Sequence, residues 1–248
     1  MNKLIVANWK SNPNTASEAI KLAEASDFKN VVIAPPYPYL EQVGKLIKKA
    51  SLGAQDVFQK DGGPYTGEVS LSQLRDLKVK YVIVGHSERR KHLGESDEVI
   101  NQKVKLVLSG RLKVILCVGE DWLTRRKGIT AAKNFVANQL KKDLSGNRKR
   151  EAGSGNLFIA YEPIWAISSV SGNRADTPQD AAEVMKFIKR VLNTRYKVLD
   201  TKVLYGGSVD AKNADAFLNR KEIDGALVGN ASLSSQSFKA IIKARDSV

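Results

Sequence analysis

The chain has 248 residues, 42% hydrophobic and 27% charged, with a net charge of +14, two histidines and one cysteine. That length suits one large domain, and the short apolar runs fall well below a membrane span. The single Cys117 excludes an internal disulfide framework and suits a reducing, cytoplasmic setting, while the basic-then-apolar start over 1–8 is too short for a secretory signal.

Taken in order, β-branched apolar runs recur over 4–7, 31–34, 81–84, 114–118, 157–161, 203–205 and 226–228, with a weaker one over 51–55. None alternates apolar with polar residues, so each predicts a strand covered on both faces, the mark of a parallel sheet. Helical patterns lie between them. Thr15-Ala16-Ser17-Glu18 predicts a capping box opening a helix to about residue 25, and Leu40, Val43 and Ile47 mark a second helix. Ser96 with Asp97 and Glu98 starts another that Gly110 follows, and Thr177-Pro178-Gln179-Asp180 opens one whose Ala181, Val184, Met185, Ile188 and Val191 share a face. Eight β-then-α units without a composition break predict a single-domain (β/α)8 barrel spanning 1–248. The rival is an open doubly wound sheet, but Asn8-Trp9-Lys10 follows the first strand where that fold often carries Gly-x-Gly-x-x-Gly.

In a barrel, chemistry gathers at the C-terminal ends of the strands. The first strand ends with Asn8 and Lys10, an amide and a cation; the fourth ends Gly85-His86; the sixth ends at Glu162, which Pro163 holds extended. Taken singly, Lys10 reads as surface, His86 as a structural histidine and Glu162 as a solvated acid. The seventh and eighth strands end Tyr205-Gly206-Gly207-Ser208 and Val228-Gly229-Asn230, turns whose backbone N–H groups can approach a phosphate. The two histidines flank a predicted loop and the cysteine is isolated, so no metal-ligand cluster is visible, and neither is a serine nucleophile elbow. A base, a neutral donor, a cation and a phosphate cradle at one mouth suit proton abstraction beside the carbonyl of a small phosphorylated sugar, with neither metal nor cofactor. The positive charge favours an anionic substrate; its densest cluster, Arg148-Lys149-Arg150, reads as a solvated loop.

Asn8-Trp9-Lys10, Gly53-Ala54-Gln55, Tyr65-Thr66-Gly67-Glu68, Gly85-His86-Ser87-Glu88-Arg89-Arg90, Cys117-Val118-Gly119-Glu120, Ala160-Tyr161-Glu162-Pro163-Ile164-Trp165 and Tyr205-Gly206-Gly207-Ser208 run in the order of the triosephosphate isomerase family, which the chain closely resembles. The resemblance implies Glu162 as proton shuttle, His86 as neutral electrophile and Lys10 as stabiliser of the enediolate. It also implies Asn8, Ser168, Ser208, Gly229 and Asn230 as substrate and phosphate contacts, Glu88 in the adjoining polar network, and Tyr205 with Ser208 holding a lid that follows Pro163. It further implies a cytoplasmic homodimer, with Thr66 reaching the partner's site and Glu68 pairing with Arg89 across the interface.

The chain departs from the family pattern in two places near the mouth. The lid step over 168–176 is about three residues longer than the family's, with Ser168 where a glycine normally stands. Asn230 replaces the second glycine of the last turn, where asparagine's tolerance of left-handed geometry would preserve the backbone donor. The alternatives are another phosphate-binding barrel isomerase or lyase acting on a larger sugar phosphate, and a basic barrel binding nucleic acid through salt-sensitive contacts.

Overall fold

The computed structural model describes residues 3–146, 155–168, 170, 172, 174–196 and 201–247. Eight strands, β1 (Leu4–Asn8), β2 (Val31–Ala34), β3 (Ser51–Ala54), β4 (Tyr81–Val84), β5 (Lys113–Val118), β6 (Leu157–Tyr161), β7 (Lys202–Tyr205) and β8 (Gly225–Val228), close into one barrel in sequence order. Every neighbouring pair is parallel, including the closing pair of β1 with β8, which excludes the open doubly wound sheet. Around it run α1 (Ala16–Ser26), α2 (Leu40–Leu46), α3 (Leu71–Asp76), α4 (Ser87–His92), α5 (Asp97–Ser109), α6 (Trp122–Arg125), α7 (Ile129–Asp143), α8 (Pro178–Val191), α9 (Ala214–Leu218) and α10 (Ser235–Asp246).

The unbroken apolar strands have the two-sided burial their pattern predicts. Leu4, Val6, Ile83, Ile115 and Leu204 point into the barrel, where Tyr81 and Phe158 meet edge to face at 5.5 Å. Their neighbours Ile5, Ala7, Val82, Val114 and Val203 face outward into the layer between sheet and helices. Among the described residues no helix is long and apolar enough to cross a membrane.

The helix boundaries follow their caps. Ser96 Oγ accepts from Val99 N–H and Thr177 Oγ1 from Asp180 N–H, with Pro178 at the first helical position. At Thr15 only half of the expected capping box forms: its hydroxyl accepts from Glu18 N–H at 3.3 Å, without a return bond from the glutamate. The complete box is at Ser70 and Gln73, opening α3. The stretch between the two histidines, expected as a loop, is α4; Ser87–His92 has no apolar stripe, so nothing in its periodicity announces a helix. The basic cluster Arg148-Lys149-Arg150 lies outside the described residues.

The weakest strand signal, Ser-Leu-Gly-Ala, forms β3 because a distant acid fixes its approach. Leu52 is the one large apolar side chain of that strand, worth roughly 1.5–3 kcal/mol when buried. Asp27, at the end of α1, accepts from the backbone N–H groups of Lys48, Lys49 and Ala50 at 3.0, 2.8 and 2.7 Å, so the chain reaches Ser51 already positioned. Burial pushes the Asp27 carboxyl up, but those three donors outweigh it and hold it below its ordinary value. A depressed carboxylate contributes stability above its unfolded pKa and loses it as pH falls through the folded one. Asp27→Ala should therefore cost about 1–3 kcal/mol at neutral pH, read by urea titration. The gap to the parent should close in acid, and an equal gap at all pH values would exclude the charge as its cause.

Candidate active site

The C-terminal mouth holds a cavity of about 380 Å³. Asn8, Lys10, His86, Glu162, Ser168, Ser208, Gly229 and Asn230 all line it, so eight side chains and turns from five strand ends meet as their positions in the chain predict. Glu88 and Tyr205 stand just outside, the first bonded to Lys10 and the second buried beneath the lid.

Glu162 continues the ladder beyond β6, its N–H donating to Val118 O at 2.8 Å. Two glycines make its seat. A Cβ on Gly119 would lie 1.7 Å from Glu162 O, and one on Gly206 would lie 2.7 Å from Glu162 Cγ. The carboxylate is 2% exposed. Its Oε2 accepts from Ser87 N–H at 3.0 Å, an open donor of the first turn of α4. Among the described residues Oε1 has no hydrogen-bond partner, although His86 Nε2 is only 3.1 Å away. An unspent, buried carboxylate oxygen beside an imidazole can accept a proton once its side chain turns into the cavity.

His86 caps α4. Its Nδ1 accepts from Glu88 N–H at 3.3 Å, which requires that nitrogen to be unprotonated and leaves the ring hydrogen of the neutral imidazole on Nε2. Lys10 adopts a left-handed backbone with φ 54°. Asn8 Oδ1 accepts its N–H at 3.1 Å, and Gln55 Nε2 donates to its carbonyl at 2.8 Å. Those two bonds hold the strained turn that aims the side chain inward, where its ammonium pairs with Glu88.

The lid begins on a buried acid. Glu120 accepts from Trp165 Nε1 at 2.9 Å and from Tyr161 OH at 3.1 Å, and burial raises its carboxyl despite these donors. Ser208 bonds the first lid turn twice, its hydroxyl donating to Ala166 O at 2.7 Å and its N–H at 3.2 Å. Tyr205 OH donates to Asp176 Oδ2 at 3.2 Å. Of the lid step over 168–176, Ser169, Ser171 and Asn173 lie outside the described residues. Asn230 opens a 3₁₀ turn, Asn230–Leu233, and is absent from the left-handed positions, so no special tolerance of asparagine is needed there.

Thr66 and Glu68 are exposed on the loop after β3, beside Gly67 with φ 89°. Arg89 is tied within its own chain, to Asp56 at 2.8 Å and Glu95 at 2.7 Å. Strand-end reading passed over Ser87, because its contribution is a backbone N–H, and Asp176, whose place beside Tyr205 depends on the lid's path. Cys117, inside the barrel next to Glu162, is fully buried; burial and then the adjacent carboxylate push its thiol up.

A family model described as triosephosphate isomerase matches residues 3–245. The triosephosphate isomerase of Dictyoglomus thermophilum is 40% identical over 252 residues, covering 97% of this chain and 98% of its own. That of Thermoanaerobacter pseudethanolicus is 42% identical over 250 residues, covering 96% and 98%. The Aquifex aeolicus protein of the same name is 40% identical over 253 residues, covering 98% and 99%.

Burial pushes the Asp176 carboxyl up to about 6. A raised carboxylate binds its proton more tightly folded than unfolded, so its contribution to stability falls as pH rises between about 4 and 6. Asp176→Asn keeps an acceptor for Tyr205 without that fall. Melting temperatures of variant and parent, compared from pH 4 to 7, should shift in the variant's favour across the window, at roughly 2–4 °C per kcal/mol. A constant difference would contradict the assignment.

Proposed function

The chain belongs to the triosephosphate isomerase family, and from that premise we propose that its mouth interconverts glyceraldehyde 3-phosphate and dihydroxyacetone phosphate through an enediolate. The observation that carries the reading is the open Glu162 Oε1 beside His86 Nε2, two side chains that line one cavity of about 380 Å³. Glu162 takes the proton from the carbon next to the carbonyl and returns it to the neighbouring carbon. His86 donates from Nε2 to the carbonyl oxygen as charge develops there, and the Lys10 ammonium, paired with Glu88, faces the same oxygen. Asn8 places the substrate.

For the base to act it must leave Ser87 N–H and turn into the cavity. The short side-chain movement exchanges one hydrogen bond for contact with the substrate carbon. The phosphate sits against Ser168, Ser208 and the backbone at Gly229 and Asn230, which anchors the non-reacting end of the substrate and leaves the two reacting carbons between Glu162 and His86. The lid excludes water while the enediolate exists.

The same family membership supports a homodimer acting in the cytoplasm. Exposure of Thr66 and Glu68 at a loop tip suits a contact with a second copy, and Arg89 would add Glu68 of the neighbour to the carboxylates it already holds.

A coupled assay on glyceraldehyde 3-phosphate tests the reaction directly. Glu162→Asp keeps the charge but shortens the reach, and should cut kcat by about a hundredfold or more with little change in KM. Near-normal turnover in that variant would refute Glu162 as the base. The lengthened lid step predicts a second outcome: some enediolate escapes and eliminates phosphate, so methylglyoxal should form at a higher fraction of turnover than in a short-lid relative. Equal fractions would show that the longer lid closes as tightly.

A further inference from the structure

The ladder between β4 and β5 ends at Val84 opposite Leu116. At the next position Gly85 and Cys117 are joined by a side chain instead. Arg90, on α4, donates from Nε to Gly85 O at 2.8 Å and from Nη2 to Cys117 O at 3.1 Å. Its other bonds run to two helices: Nη1 to Asp97 Oδ1 at 2.8 Å on α5, and Nη2 to Asp143 Oδ2 at 2.6 Å on α7. Asp143 is fully buried and the arginine side chain 15% exposed. The fit depends on glycine, because a Cβ on Gly85, where φ is 71°, would stand 2.9 Å from Nη2.

Both carbonyls belong to the segments that carry the chemistry. Gly85 immediately precedes His86. Cys117 precedes Val118, whose carbonyl receives Glu162 N–H, and Gly119, against which Glu162 O is pressed. We infer that Arg90 is a positioning residue for the proton transfer: its guanidinium sets the gap between the strand end bearing the electrophile and the strand end seating the base. It touches no substrate. A planar fork with five fixed donors spans two carbonyls and two carboxylates at once, which the three donors of a lysine ammonium on one atom cannot do. The contact between His86 Nε2 and Glu162 Oε1 is therefore a property of the bridged ends of β4 and β5 as much as of the two side chains.

This inference rests on the roles proposed for His86 and Glu162, so its test runs beside Glu162→Asp. Arg90→Lys keeps the charge and removes the fork; kcat should fall roughly 10–100-fold while KM stays within about threefold of the parent. Arg90→Ala leaves a hole that opens on a second cavity of about 660 Å³, lined also by Ser87, Gly119 and Gln139. Free guanidinium, well below unfolding concentrations, should then restore part of kcat where sodium chloride does not. A folded Arg90→Lys protein with a lower melting temperature but parental kcat would overturn the positioning role, as would a folded Arg90→Ala protein indifferent to guanidinium. If Arg90→Ala fails to fold, Arg90→Lys decides alone. Parental turnover in Glu162→Asp would sink the base assignment instead, so the two failures are distinguishable.

Discussion

Everything at the mouth depends on one seam, where β8 comes round to meet β1. Gly225 lies so close to the first strand that a Cβ there would fall 1.8 Å from Leu4 O. Leu4 N–H donates to Asp224 O at 3.0 Å, and Lys3 Nζ reaches the carbonyls of Ile223 and Arg220 at 2.6 and 2.8 Å. Closure brings the first strand's Lys10 against the last strand's turn: a Cβ on Gly229 would be 3.4 Å from Lys10 Cε. Lys10 and the turn after β8, at opposite ends of the chain, become neighbours only through that seam. An open sheet with the same eight strands would keep the histidine and the glutamate near each other and lose the other half of the site.

The seam also explains which parts of the molecule were legible from sequence. Strand positions depend on local runs of β-branched residues, and 31–34, 81–84 and 157–161 are the observed β2, β4 and β6. Strand-end side chains were readable because a parallel barrel sends all of them to one face. Features that depend on a distant partner were not. Asp27 fixes the approach to β3 from across 21 to 23 residues, and Asp176 finds Tyr205 only after the lid has folded back. Backbone donors carry no residue-type signature, which hid the part of Ser87. The helix α4 was missed because its charged sequence shows no apolar period, while its capping group is an imidazole rather than one of the usual short polar side chains.

Several of these features work in the same way. Glycines remove side chains where two segments must nearly touch, and long polar side chains then tie the segments at fixed spacing. Gly119 and Gly206 do the first around Glu162, and Gly85 does it above Arg90. Gln55 and Arg90 do the second, for the Lys10 turn and for the gap between β4 and β5. Preorganisation of this kind comes from fixed main-chain geometry, which moves less than the tips of side chains, and it places rigidity where charge changes during the reaction.

Cys117 illustrates a consequence outside the reaction itself. The thiolate is the form that reacts with peroxide or exchanges with a disulfide, and reactive cysteines sit in exposed, electropositive surroundings. Here the thiol is sealed in the barrel and the neighbouring negative charge of Glu162 opposes its ionisation. The carboxylate proposed as base thus acts as an electrostatic guard on the chain's one sulfhydryl, and the fold carries a cysteine beside its candidate site without offering it as a redox target.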